Sequence, residues 1–78
     1  MSTKHDFILF RSIFDKDLFD AISLKDVDKI EKIFREKYDY EIKEGFISDD
    51  VNTPIDIEKL HEDFEIQMDG ADDFNWAL

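Results

Sequence analysis

Apolar positions along the chain change period from one stretch to the next. The first stretch runs Phe7-Ile8-Leu9-Phe10 and continues as pairs, Ile13-Phe14, Leu18-Phe19 and Ala21-Ile22. Two readings fit its opening. Asp6 can cap a helix with apolar residues at 7, 10, 14 and 18, or residues 7–13 can form a buried strand followed by a short helix capped by Asp15. Periodicity does not decide between them, while the brevity of the run and its Phe and Ile content favour the strand.

The next stretch is more regular. Ser23 followed by Asp26 resembles a capping box and predicts a helix from about Leu24 to Tyr38. Val27, Ile30, Ile33, Phe34 and Tyr38 fall on one of its faces. Asp28 with Lys32 and Glu31 with Arg35 place an acid four residues before a base on the other face, the favourable order. Tyr38, Tyr40 and Ile42 then alternate with Asp39, Glu41 and Lys43, the pattern of a half-buried strand. Ser48-Asp49-Asp50-Val51-Asn52 reads as loop. Thr53-Pro54 reads as a helix opening, with Ile57, Leu60, His61 and Phe64 on one face. Phe64, Ile66 and Met68 alternate, Asp69-Gly70-Ala71-Asp72 has turn chemistry, and Phe74, Trp76 and Leu78 alternate again, which predicts a terminal hairpin. The expected fold is therefore α+β: a small single domain over 1–78, with about two main helices packed on a short antiparallel sheet.

Composition sharpens this picture. An apolar share of 42%, with eight Phe, two Tyr and one Trp, is too high for a disordered acidic tail. The 78 residues allow one modest core and argue against a deep catalytic cleft. There is no cysteine, hence no disulfide or thiolate metal site. The N-terminal apolar run is too short for a signal peptide or a membrane span. A cytoplasmic setting, with no membrane contact, is expected.

Charge is distributed unevenly. Residues 1–38 hold eight acids and eight bases, whereas residues 39–78 hold thirteen acids against Lys43 and Lys59, so 2 − 13 gives the whole net charge of −11. Like charges about 7 Å apart repel by roughly 0.6 kcal/mol even in water, so such crowding works against folding and points to a partner that compensates it. A purely solubilising surface is the plainer explanation. Carboxylates three or four apart on a helix lie about 6 Å from one another, and those two apart on a strand about 6.7 Å; both spacings approach that of successive phosphates. The expected contact row is Asp56, Glu58, Glu62, Asp63 and Glu65, extended by the loop acids Asp49, Asp50, Asp69, Asp72 and Asp73.

Other chemistry has little support. The oxygen-rich loops at 48–50 and 69–73 lack the ligand spacing of a calcium-binding EF-hand. His5 and His61 lack a zinc-binding pattern. There is no phosphate-binding Gly loop or nucleophile motif, so no catalytic residue, metal or cofactor is expected. Direct binding to nucleic acid is disfavoured by the sign of the charge. Phe74, Trp76 and Leu78 either complete the core or form a seam, which leaves a homodimer open.

In size, lack of cysteine, aromatic core and acidic surface, the chain resembles the small phage-encoded DNA-mimic proteins that inactivate host DNA-binding proteins. The likeness is one of overall character, since such proteins share no motif. It implies a non-enzymatic inhibitor in the bacterial cytoplasm. The implied partner is a basic DNA-binding protein: a histone-like nucleoid-associated protein, or a restriction or CRISPR effector. An immunity protein or antitoxin that neutralises a basic nuclease toxin is the alternative.

Overall fold

The computed structural model describes residues 2–47 and 49–69, with backbone only for Asp49 and Asp50. The described residues form five α-helices: α1 (Lys4–Ser12), α2 (Lys16–Ser23), α3 (Val27–Lys37), α4 (Asp39–Lys43) and α5 (Ile57–Asp69). A 3₁₀ turn, Asp49–Asn52, precedes α5. Strand-like pairing among these residues is limited to one parallel bridge between Ser2 and Ile47. The expected antiparallel sheet is therefore wrong, and the fold is helical.

Local chemistry explains each correction. The expected strand at 7–13 is helix α1: the Thr3 hydroxyl accepts the Asp6 amide at 3.0 Å, and Lys4, Ile8 and Ser12 point inward at successive turns. Asp15 does cap the helix that follows, accepting the amides of Asp17 and Leu18 at 3.1 and 3.3 Å. The predicted helix over 24–38 begins later than its Ser23 signal. Ser23 closes α2 instead, and Lys25 takes a left-handed conformation (φ 55°). The Lys25 and Asp26 amides then donate to the carbonyls of Ile22 and Ala21, which is a Schellman termination. Asp26 becomes the cap of α3 through the Lys29 amide.

The expected strand at 38–43 is the short helix α4, ended by a second Schellman pattern in which Gly45 (φ 76°) supplies the left-handed residue. Tyr38 is buried while Tyr40 is 64% exposed, so the apparent one-sided alternation is not realised. The first arm of the expected hairpin continues α5 through Asp69. Its second arm, and Trp76 with it, lies outside the described residues.

The helices close around Ile8, Leu18, Ala21, Ile22, Ile30, Phe34, Tyr38, Ile47, Leu60 and Phe64. Helix α2 is central, packing on α1, α3 and α5, while α1 also meets α5 and α4 follows α3. Aromatic rings meet edge-on across these seams, Phe7 with Phe34 and Tyr38, and Phe19 with Phe64.

Two buried polar clusters tie the ends of helices together. The Lys4 side chain, on a residue only 3% exposed, donates to Glu31 Oε2 at 2.9 Å and to the Thr53 carbonyl at 2.8 Å. It links α1 to α3 and to the segment entering α5. Asp15 accepts the Tyr38 hydroxyl at 2.6 Å and pairs with Lys37 at 3.0 Å, which ties the start of α2 to the end of α3. Burial opposes ionisation of Asp15, but the Tyr38 hydroxyl, the Lys37 ammonium and the Leu18 amide outweigh it and hold the carboxyl below its ordinary range.

Candidate functional site: the acidic face of α5

Helix α5 forms because Ile57, Leu60, Phe64 and Met68 recur at helical spacing and bury one side against α1 and α2. Asp56 precedes its first turn and accepts the Lys59 amide at 3.3 Å, so Asp56, rather than Thr53, caps it. The buried side fixes where the remaining residues point. Glu58, Glu62, Glu65 and Asp69 are all exposed. At about 100° per residue they fall within roughly 60° of arc, and at 1.5 Å rise they extend over about 16 Å. The result is one straight row of carboxylates, with neighbours separated by about 4.5–6 Å along the axis.

The row has few counter-ions. Glu58, whose side chain is 77% exposed, meets Lys25 at 3.3 Å from the α2–α3 turn. Glu65, 68% exposed, lies 3.0 Å from His61 Nδ1. Such exposed pairs are screened and weak, so the carboxylates stay available to another cation.

Asp63 does not belong to this row. It turns towards α1, where its carboxylate lies 2.7 Å from His5 Nε2 and 3.6 Å from Lys59 Nζ. The hydrogen bond with His5 is the main influence holding the Asp63 carboxyl below its ordinary range, and Lys59 adds to it. His5 and Asp63 are 58 residues apart, and nothing in the local pattern of either signals the contact. Asp69, assigned to a loop by its turn-like neighbours, instead completes the helical row. Asp49 and Asp50 lie in the 3₁₀ turn ahead of α5, and Asp72 and Asp73 lie outside the described residues.

The bases of α3 are exposed among acids, Asp28 and Glu36 lying on the same helix surface. Helix α3 exposes Lys29, Lys32, Arg35 and Lys37, of which Arg35 is bound to the Val51 carbonyl and Asn52, and Lys37 to Asp15. The exposed surface of α3 is therefore of mixed charge, unlike the acidic row of α5.

A cavity of about 190 Å³ lies between α1 and the segment entering α5, lined in part by Lys4, His5, Thr53 and Leu60. It is below the size usual for cofactor sites. Among the described residues no three His, Asp or Glu side chains converge as a metal site. No helix of the described residues is long and apolar enough to cross a membrane. Comparison with family models, with curated proteins and with solved structures gave no match.

Proposed function

We propose that the protein is a DNA mimic, which binds and inhibits a basic nucleic-acid-binding protein by presenting the α5 carboxylates in place of phosphates. The observation that carries this reading is the row Glu58–Glu62–Glu65–Asp69, exposed and on one side of a helix anchored by its opposite face. A groove built for the phosphate backbone attracts any surface that repeats negative charge at short, regular intervals, and association releases condensed counter-ions. The mechanism needs no chemical step. Binding is stoichiometric, steered by charge and weakened by salt.

The row defines its own test. Glu58→Lys, Glu62→Lys and Glu65→Lys in one chain reverse the row while touching no buried side chain. Wild-type protein used as bait retains a basic DNA-binding protein that elutes with salt and with duplex DNA, and the triple variant retains none. Retention unchanged by the reversal overturns the assignment of the row. Retention of one nuclease toxin that resists competing DNA favours the immunity-protein alternative.

A further inference from the structure

Among the described residues, two pairs of neighbouring aromatic rings stay exposed. Tyr40 and Phe46 lie 6.2 Å apart, and the Phe46 carbonyl accepts the Ser2 amide, so that pair sits by the N-terminal end of α1. Phe10 and Phe14 lie 5.4 Å apart at the other end of α1 and are 54% and 67% exposed. Arg11 belongs to this second pair. Its guanidinium carbon is 5.8 Å from the centre of the Phe14 ring and 5.3 Å from that of Tyr38, a cation–π contact with each. The Arg11 Nε is buried with no hydrogen-bond partner. No carboxylate of the described residues pairs with Arg11, in a chain that has 21 acids.

We infer that Phe10, Arg11 and Phe14 receive the chain's own segment Asp73-Phe74-Asn75-Trp76, with the Phe74 and Trp76 rings on the Phe10–Phe14 pair and the Asp73 carboxylate on Arg11. Composition matches the segment to the surface: an acid beside two aromatic residues meets a base between two aromatic residues. Position matches it as well. The Gln67 side-chain amide, in the last turn of α5, donates to the Leu9 carbonyl at 3.0 Å, so the chain leaves α5 beside the C-terminal half of α1. Phe10 follows Leu9 by about 100° around a helix of about 5–6 Å radius, a path of roughly 10 Å. Phe74 stands five residues beyond Asp69, and five residues reach about 17 Å when extended. The Tyr40–Phe46 pair would require about 13 Å more, the length of α1. The inference does not depend on the proposed function, and it takes Asp73 out of the expected contact row.

Trp76 is the sole tryptophan, so its emission, and the quenching of that emission by acrylamide, report on the segment in the full chain. Wild type is expected to emit at shorter wavelength, and to be quenched less, than the same chain in concentrated urea. Phe10→Ser and, separately, Phe14→Ser should carry both readings to their values in urea while circular dichroism keeps its helical signal, since both rings are exposed. Phe46→Ser should leave them unmoved. Arg11→Gln and Asp73→Asn should each shift the emission part of the way, and the double variant no further than either alone. Asp73→Asn alters no residue of the five helices, so its result stands even if a ring substitution unfolds the chain.

Wild-type emission already at its position in urea overturns the inference. So does a shorter-wavelength emission that neither Phe10→Ser nor Phe14→Ser moves, or that Phe46→Ser moves instead, because the segment then covers another surface. Additive shifts in the Arg11→Gln and Asp73→Asn double variant overturn the pairing of Asp73 with Arg11. An emission that moves to shorter wavelength with protein concentration, in step with a rising mass, places the segment on a second copy and overturns the inference equally.

Discussion

At the scale of single residues, two buried ionic groups should dominate stability. Asp15 joins the α2 cap, the Tyr38 hydroxyl and Lys37 in one carboxylate. Asp15→Ala removes a cap and strands a buried phenol, and should cost about 2–3 kcal/mol in urea denaturation. Because its folded pKa is lowered, the ionised carboxylate adds stability above its ordinary value of 3.8, and that contribution disappears as pH falls through the folded value. Asp15→Asn keeps the cap and loses the charge, so its stability should fall less steeply over the same acid range. Equal acid slopes for the two proteins would show that Asp15 is not the sensitive group. Lys4→Met leaves Glu31 facing the interior, where its Oε1 already has no hydrogen-bond partner, and should destabilise by about 2–3 kcal/mol, a buried-pair value reduced for the partial exposure of Glu31.

At the scale of elements, helix terminations decide the fold. Gly45 holds the left-handed position after α4 with nothing near its missing side chain, so Gly45→Ala meets backbone strain alone and should cost about 1 kcal/mol in the same denaturation assay. Far-UV circular dichroism should show the double minimum of helix; a single sheet-like minimum would contradict the architecture. The sequence was legible where apolar spacing was unambiguous, as in α3 and α5, whose buried faces carry the Ile30–Phe34 and Leu60–Phe64 pairs expected from the pattern. It was misleading where a short run fitted both periods. Tyr38 and Ile42 are two steps apart in an alternation and also one helical turn apart, and Phe64, Ile66 and Met68 have the same ambiguity. Helical order prevailed because neither segment has a strand to pair with among the described residues, whereas each satisfies its backbone within a helix. The Schellman turn at Lys25 had no glycine to announce it. In the candidate site, Glu58, Glu62 and Glu65 followed from helical spacing, but the withdrawal of Asp63 towards His5 depended on how α1 packs, which local pattern does not encode.

At the scale of the whole molecule, charge separation links stability to binding. The surplus of acids from residue 39 onward repels itself at low ionic strength, so added sodium chloride should raise the urea midpoint while weakening partner binding. These opposite responses distinguish a surface held ready for a cation from one balanced by its own bases. The neutral half supplies most of the buried helix contacts, with α2 at their centre, and leaves α5 free to combine a buried apolar side with an outward acidic row.

The most direct measurement follows a captured partner on labelled duplex DNA while this protein is added in increasing amounts. Mimicry predicts release of free DNA in proportion to the protein added, complete near stoichiometric equivalence, with Glu58→Lys/Glu62→Lys/Glu65→Lys inactive in the same titration. A complex that retains its DNA while also binding this protein would contradict the proposed function.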